Sequence, residues 1–411
     1  MNKFVTIIVA VALLIIGIVG AAFFLYPYEP KKPPRADDSD STPHGIQEIA
    51  SSNNKFALEL YSRMANYEEN VFFSPYSIYA ALAITYEGAK GRTAEEIKKV
   101  FHFPESRVLR PNFAAIYNSL NEEQKNCELK IGNALWIQKD HPLLEDYKSR
   151  VEKYYGAKAA NLDFTKEESR KMINNFIEEQ TNGKIKDLIP EGSLDSTTRL
   201  IITNAIYFKG TWLWEFDPKN TKEMDFKVKQ TKVVKVPMMC MKPDKPRFNY
   251  ADLDDLQILE LSYKGEKISM LILLPKENLE RIDLTAEKIE EWKSKMEETK
   301  LDSICIPKFE LKTKYLMNDH LKALGMPTTF TIEADFSGMS KEKLFISFVI
   351  HQAYVKVDEK GTEAAAATAV AMVMATPKMK EFKADRPFVF IIQEKITGNI
   401  LFIGKIVDPT K

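Results

Sequence analysis

Cysteine is scarce in this sequence, with Cys127, Cys240 and Cys305 as its three representatives among 411 residues. They lie far apart, and none has the C-x-x-C spacing that is typical of zinc sites and redox-active dithiols. We therefore expect no metal site and no thiol chemistry. Free cysteines are usually buried, so all three are predicted to be buried structural thiols, and the sequence leaves a disulfide between two of them open.

Histidine is also rare, and a hydrolase would need a base together with a nucleophile and an orienting group. None of the five histidines stands in a catalytic motif: His44, His102, His141, His320, His351. The sequence contains no G-x-S-x-G, H-E-x-x-H, P-loop or G-x-G-x-x-G pattern, which excludes the common motif-bearing hydrolases and nucleotide-binding enzymes. No catalytic residue is predicted. The apolar strand pattern around His351 favours a hydrogen-bonded core histidine over a ligand.

The sequence has no excess charge of either sign, because Lys+Arg and Asp+Glu number 58 each. No overall field would therefore attract a nucleic acid or an acidic substrate, and no nucleic-acid partner is expected. Hydrophobic residues make up 45% of the chain, which is enough to bury a large core.

The N-terminal segment is the one long hydrophobic run. Residues 4–25 are 22 residues without a charge, close to the ~20 that span a bilayer. Residues 1–25 are therefore predicted to be a transmembrane anchor, or a signal segment if cleavage occurs near the small residues Gly20, Ala21 and Ala22. Residues 26–45 carry five prolines and three aspartates, which predicts an extended linker. Residues 46–411 are predicted to be the folded domain, held outside the cell by the anchor or secreted.

Periodic patterns predict helices first and strands later. The helical patterns cover residues 54–65, 77–87 and 93–100, the last with Thr93 and Glu96 as a predicted capping box. Strand patterns cover seven later segments: 200–208, 257–263, 268–274, 303–309, 344–358, 388–394, 400–407. This order indicates an α+β fold.

Residues 358–377 form an unusual run of small side chains. The alanines favour helix by intrinsic preference, yet the run follows a strand pattern and precedes Pro377. In strand alternation, Glu363 falls on one face and a set of small or apolar side chains on the other: Thr362, Ala364, Ala366, Thr368, Val370, Met372, Met374. That second face could enter a packed core without burying a charge. The segment therefore suits two states, an exposed loop and an inserted strand.

Residues 359–368, EKGTEAAAAT, resemble the reactive-loop hinge of inhibitory serpins. The resemblance extends over residues 46–408 and includes five further family signatures: NVFFSPYSI at 70–78, TNAIYFKGTW at 203–212, DFSGM at 335–339, DRPFVF at 385–390, FIGKIVDP at 402–409.

The resemblance implies an α+β serpin fold with three β-sheets, about eight or nine helices and an exposed reactive-centre loop. It implies a polar shutter of Ser74, Ser77, Asn204 and His351 behind the central sheet, and it places Trp212 at the breach, where the loop enters that sheet. It also implies a hinge formed by nine residues: Glu359, Gly361, Thr362, Glu363, Ala364, Ala365, Ala366, Ala367, Thr368.

The function that the resemblance implies is suicide inhibition of serine proteases, with cysteine proteases as an alternative. The protease cuts the loop and forms an acyl-enzyme, and the cut loop then inserts as a new central strand and distorts the trapped enzyme. No cofactor or metal is implied, and the inhibitor is expected to be a monomer. Loop insertion of this family is a known example of strand addition.

The family spacing counted from Gly361 places the reactive bond at Ala375–Thr376, and counting back from Arg386 gives Met374–Ala375 as the alternative. Small or apolar residues before the bond suit an elastase-like or subtilisin-like protease. The alternative function is that of a non-inhibitory serpin, a chaperone or carrier, but no bulky or charged residue interrupts the hinge from Ala364 to Ala371. We expect Thr362→Arg to block insertion by forcing a charge into the core.

Overall fold

The computed structural model describes residues 35–65, 68–122, 126–243, 246–277, 279, 282–362 and 380–411. Ala36–Lys411 form one compact unit. The predicted anchor lies outside the described residues, as do hinge residues 363–368 and both alternatives for the reactive bond at 374–376.

The folded unit begins earlier than residue 46, the predicted start. Ala36 is buried, and its backbone N–H and carbonyl each form a 2.9 Å hydrogen bond with the side-chain amide of Asn118. The N–H of Asp37 donates to the carbonyl of Lys153 at 2.7 Å. The prediction of a linker up to residue 45 is therefore wrong from Ala36 onward, because contacts with distant helices hold this stretch in spite of its composition.

Eight α-helices occur in the described ranges. The first, α1 (Pro43–Met64), has Thr42 as its N-cap, whose hydroxyl accepts from the N–H of Gly45 at 3.0 Å. The three predicted helices are confirmed as α1, α2 (Pro75–Tyr86) and α3 (Gly91–Phe101), each with an earlier start. Five helices were not predicted: α4 (Ser106–Leu120), α5 (Glu145–Tyr155), α6 (Glu167–Gln180), α7 (Ala286–Ser294), α8 (Asn318–Leu324).

The predicted capping box at the start of α3 is wrong. The N-cap residue is Lys90, and it makes no side-chain capping bond. The hydroxyl of Thr93 instead accepts from the N–H of Asp335 at 2.9 Å, and the Glu96 carboxylate accepts from the N–H of Thr328 at 2.9 Å. Both side chains thus connect α3 to a segment more than 200 residues away, which a local pattern does not show.

Seventeen strands form three sheets in the part of the chain that is described. The seven-stranded sheet has the order β1-β17-β16-β9-β8-β7-β10, with these bounds: β1 (Val71–Phe73), β7 (Phe248–Asp252), β8 (Leu256–Ser262), β9 (Ile268–Pro275), β10 (Glu297–Thr299), β16 (Phe388–Glu394), β17 (Ile400–Ile406). The four-stranded sheet has the order β15-β11-β6-β5, with these bounds: β5 (Lys222–Lys229), β6 (Lys232–Met241), β11 (Ser303–Pro307), β15 (Glu381–Lys383).

The six-stranded sheet carries most of the predicted site. Its order is β12-β13-β14-β4-β2-β3, with these bounds: β2 (Cys127–Gln138), β3 (Lys158–Leu162), β4 (Leu200–Thr211), β12 (Phe309–Leu316), β13 (Ile346–Asp358), β14 (Gly361–Thr362). Helix α6 covers part of its outer face, where Ile173 and Ile177 share a core cluster with Ile201 and Ile350.

Helix α2 lies behind this sheet. Its residues from Pro75 to Thr85 are all buried, as expected of a helix that is apolar all round. It contacts β17 of the seven-stranded sheet on one side and β2 and β4 of the six-stranded sheet on the other. The N-terminus of α2 therefore reaches the interior of the molecule, where polar side chains need partners.

The predicted strand at 303–309 is in fact two strands in two sheets. Strand β11 pairs with β6, whereas β12 pairs with β13, and the chain passes between the sheets at Lys308, whose N–H donates to the carbonyl of Pro237 at 2.9 Å. The other six predicted strands are confirmed, with bounds that differ by three residues or fewer. Apolar residues stand on both sides of Lys308, so the pattern at 303–309 does not reveal the change of sheet.

Two of the three cysteines are paired, so their prediction as thiols is wrong. Cys240 on β6 and Cys305 on β11 are directly opposite in the antiparallel pair and form a disulfide. Cys127 is the free cysteine and is buried, as predicted, and burial raises the pKa of its thiol to about 12. It remains protonated at neutral pH, and we assign it no reactive role.

Candidate functional site

The beginning of the predicted hinge already forms a strand. In β14, Gly361 pairs with Thr211 of β4 and Asp358 of β13. Thr362, the second residue of β14, pairs with Gly210 and Val357 on the same two strands. Both pairings are antiparallel, so β14 is a two-residue wedge between the ends of β4 and β13. A segment that continued β14 would run directly between these strands.

Gly361 is required by the backbone at the start of this wedge. Its φ is +149°, and a Cβ there would lie 2.0 Å from the carbonyl oxygen of Gly210. Both the backbone angle and the contact exclude other residues. The glycine therefore allows β14 to approach β4 closely.

Trp212 and Tyr263 form hydrogen bonds to residues at the wedge. Trp212 is fully buried, and its indole N–H donates to the carbonyl of Asp358 at 3.0 Å. Its ring stacks on that of Tyr263 with centroids 4.5 Å apart. The hydroxyl groups of Tyr263 and Thr362 are 2.9 Å apart and form a hydrogen bond. Trp212 thus lies beside β14, directly after the end of β4.

Thr362 is completely buried before any cleavage of the loop. The substitution Thr362→Arg would therefore place a charge in the core of the uncut protein as well as in an inserted strand. That variant could not separate a folding defect from a block of insertion, and a residue further along the hinge is the better test.

Glu359 binds residues that adjoin strands β5 and β11 of the four-stranded sheet. Its carboxylate accepts from the Lys308 ammonium at 2.9 Å and from the Thr221 hydroxyl at 2.8 Å, and its own carbonyl accepts from the N–H of Phe216 at 2.7 Å. Burial raises the pKa of Glu359, but the hydrogen bonds from Lys308 and Thr221 together outweigh it and lower the pKa below the usual value. The carboxylate is therefore ionised and held in place at neutral pH.

Below the wedge, β4 and β13 pair directly as parallel neighbours from Leu200 and Ile346 to Tyr207 and Tyr354. This paired region, which we call the seam, would have to open for another strand to enter. His351 and Asn204 are opposite each other in the seam, and a hydrogen bond joins the His351 ring nitrogen Nδ1 to the Asn204 side-chain oxygen. This bond therefore crosses the seam on the face toward α2.

The four predicted shutter residues lie together at the N-terminus of α2, and all are fully buried. The His351 Nε2 accepts from the N–H of Ser74 at 3.0 Å, so Nδ1 carries the proton and donates it to Asn204. The Asn204 amide in turn donates to the hydroxyl of Ser77 at 2.6 Å. Sequence reasoning missed a fifth member, Asn133 on β2, whose side-chain oxygen accepts from Asn204 at 2.5 Å and from Ser77 at 3.1 Å.

His351 is neutral in this cluster. Burial lowers the pKa of its imidazole to about 3. Protonation would also break the bond from Ser74, because a charged ring has no acceptor nitrogen. The hydroxyl of Ser74 does not donate to this ring, because it donates to the carbonyl of Leu401 at 2.6 Å.

Comparison with known proteins identifies the family. The family model described as Serpin (serine protease inhibitor) matches residues 51–409. The chain belongs to the serpin family. A serpin-like protein of Methanosarcina mazei is 42% identical over 88% of each chain, and leukocyte elastase inhibitor A of Rattus norvegicus is 37% identical over 89% of this serpin and 100% of the relative.

Solved serpin structures have the same fold. Human thyroxine-binding globulin matches with a TM-score of 0.81 and 31% identity, covering 89% of this chain and 100% of the globulin. The predicted α+β fold with three sheets is thereby confirmed, and eight helices occur in the described residues. Serpins are in general protease inhibitors and not enzymes, and relatives of this serpin include an elastase inhibitor.

No helix among residues 35–65, 68–122, 126–243, 246–277, 282–362 and 380–411 is long and apolar enough to cross a bilayer. Within these same ranges, no group of three or more His, Cys, Asp or Glu side chains is arranged to hold a metal ion. The 22-residue run at 4–25 lies outside these ranges.

Proposed function

We propose that this serpin is a suicide-substrate inhibitor that traps serine proteases of elastase-like or subtilisin-like specificity by inserting its cut loop into the seam. The observation that carries the proposal is the position of β14. Gly361 and Thr362 of the predicted hinge already pair with both β4 and β13, and the hinge residues from Ala364 to Thr368 are small.

The direction of the strands supports insertion. Strands β4 and β13 are parallel in the seam, whereas β14 is antiparallel to both. An inserted strand would replace one parallel pairing with two antiparallel pairings, and antiparallel pairs are slightly more stable per residue. The driving force is therefore added strand pairing together with burial of the small-residue face.

The experiment is to incubate the full chain with an elastase, a subtilisin and a trypsin, followed by denaturing electrophoresis and mass spectrometry. We expect a complex that survives denaturation with elastase or subtilisin, and a released C-terminal peptide beginning at Thr376 or, for the alternative bond, at Ala375. Cleavage without any stable complex would refute the inhibitor proposal and favour a carrier function. Trypsin is expected to give no complex, because residues 361–376 contain no Arg or Lys.

Two variants test whether insertion is the trap. Thr368 falls on the inward face by strand alternation and Ala367 on the outward face. We expect Thr368→Arg to lower the yield of stable complex at least roughly tenfold, because an unpaired charge in the core costs several kcal/mol. Ala367→Arg is the matched control and should still form the complex. Equal yields from the two variants would contradict insertion in this register.

We also propose that the inhibitor acts outside the cell, anchored to the membrane or secreted after cleavage. The support is the uncharged run at residues 4–25 and the Cys240–Cys305 disulfide, since disulfides persist mainly in oxidising compartments. Thiol alkylation of cells before lysis, with mass spectrometry of the membrane and medium fractions, is expected to find Cys240 and Cys305 linked and the protein absent from the cytosolic fraction. Reduced cysteines on a cytosolic protein would contradict this placement.

A further inference from the structure

The outer face of the seam carries a contact between Tyr207, which belongs to the motif at 203–212, and two residues outside the motifs, Lys184 and Tyr354. The ammonium of Lys184 lies 5.8 Å from the ring centroid of Tyr207 on β4 and 5.7 Å from that of Tyr354 on β13. Both distances are within the ~6 Å range of cation–π attraction. The two rings are 6.2 Å apart and tilted by 30°. One cation thus contacts an aromatic ring on each of the two strands that border the seam.

The position of the two tyrosines along the seam is significant. Tyr207 and Tyr354 are directly opposite each other, and they form the end of the seam that is nearest to β14. Thr362 of β14 pairs with Gly210, which lies three residues after Tyr207 on β4. A strand that continues β14 must therefore separate the Tyr207–Tyr354 pair before it reaches His351 and Asn204.

Lys184 is held at this position by its local backbone. Asn182 and Gly183 both have positive φ, 51° and 72°, which turns the chain sharply after α6. The Asn182 amide donates to the carboxylate of Glu128 on β2 at 2.6 Å, and the next residue after the lysine, Ile185, is fully buried against the outer face of the sheet. The lysine is therefore fixed between two anchored neighbours and is itself half-buried.

Insertion would destroy this contact. Neighbouring strands are about 4.8 Å apart, so a new strand between β4 and β13 would move the ring centroids from 6.2 Å to about 11 Å apart. An ammonium above the sheet could then lie over one ring only, because the new strand occupies the space between them.

We propose that Lys184, Tyr207 and Tyr354 form an outer clamp that holds β4 and β13 together and sets the rate at which the seam opens. The clamp acts on the outer face of the sheet, and the His351–Asn204 bond acts on the inner face. Its role in inhibition rests on the proposed loop insertion, but its effect on opening of the seam does not.

The test is hydrogen–deuterium exchange of the full chain and of variants at the clamp. In Lys184→Met, we expect the backbone amides of residues 200–211 and 346–358 to exchange roughly 5- to 30-fold faster, as the loss of two cation–π contacts implies. Lys184→Arg, which keeps the cation, should restore slow exchange. Lys186→Met is the matched control, because Lys186 is exposed and pairs with Glu178 at 2.7 Å. The seam of this variant should exchange at the same rate as that of the unmodified chain.

A second pair of variants separates the clamp from general stability. Tyr207→Phe keeps the aromatic ring and should leave exchange in the seam unchanged, whereas Tyr207→Leu should accelerate it. Residues 388–394 of the seven-stranded sheet serve as the internal reference. Unchanged exchange in Lys184→Met, or an equal rise in the seam and in the reference strand, would overturn the clamp.

The outcomes for the clamp and for the inhibitor function can be distinguished. Faster exchange in the seam of Lys184→Met, in a chain that never traps a protease, would support the clamp and refute the proposed function. Where the chain does trap its target, the same variant is expected to insert its loop faster and to lose inhibitory activity sooner on storage. Unchanged exchange overturns the clamp whatever the protease assay shows.

Discussion

The charge state of His351 bears on the closed sheet, because its side chain binds Asn204 across the seam. Its ring is fully buried, and its hydrogen-bond partners, Ser74 and Asn204, do not titrate. Burial lowers the imidazole pKa to about 3, whereas an unfolded histidine titrates at about 6.5. The folded protein therefore binds this proton much less readily than the unfolded chain does.

This difference predicts a pH dependence of stability. The contribution of neutral His351 is fully present above about pH 6.5 and is lost as the pH falls toward about 3, because only the unfolded state binds the proton in that window. Within it, the free energy of unfolding should fall by up to about 1.4 kcal/mol per pH unit from this residue. The measurement is urea unfolding at several pH values between 7 and 5.

The control for this prediction is His351→Gln, which keeps a hydrogen-bonding side chain but does not titrate. Other groups change protonation in the same pH range. The informative quantity is therefore the slope of the unfolding free energy against pH, compared between the unmodified chain and this variant. Identical slopes would mean that the histidine does not resist protonation in the folded state.

At the scale of secondary-structure elements, the seam between β4 and β13 is the weak point of the central sheet. On either side of it, β2 with β4 and β12 with β13 form long antiparallel pairs. The seam is parallel, and it already contains the wedge β14 at one end. An additional antiparallel strand would complete an alternating arrangement from β12 to β2.

Cleavage of the loop should therefore make the molecule more resistant to heat. We expect the chain cut near Ala375 to unfold at a temperature higher by roughly 10 °C or more, since 1 kcal/mol corresponds to about 2–4 °C in large domains. Differential scanning calorimetry before and after limited subtilisin digestion measures this shift. A cut chain that unfolds at the same temperature or lower would show that the loop stays outside the sheet.

At the scale of the whole molecule, the two described ends of the predicted loop belong to different sheets. Thr362 ends β14 in the six-stranded sheet, whereas Lys380 precedes β15 in the four-stranded sheet and its N–H donates to the Asp302 carboxylate at 2.8 Å. Strand β15 pairs with β11, which carries Cys305 and therefore the disulfide to Cys240. The disulfide thus braces the sheet that anchors the far end of the loop.

The sequence by itself determined the family and the fold class, and it predicts the start of the hinge. These depend on local signals: the periodic patterns of long strands such as β13, and contiguous motifs such as residues 359–368. Gly361 and the small residues of the hinge are visible in the sequence itself. Backbone geometry requires the glycine, and the space in a sheet requires small side chains.

Only the tertiary structure decided how distant residues meet. Asn133 joins the shutter, Cys240 pairs with Cys305, and Lys184 lies over both tyrosines of the seam. Each of these contacts joins residues on separate elements, and their partners depend on sheet order and strand register. Local periodicity specifies neither the sheet order nor the strand register, because the same alternating pattern is compatible with many pairings. The sequence therefore predicted the hinge, and the fold showed which contacts join β4 and β13 across the seam.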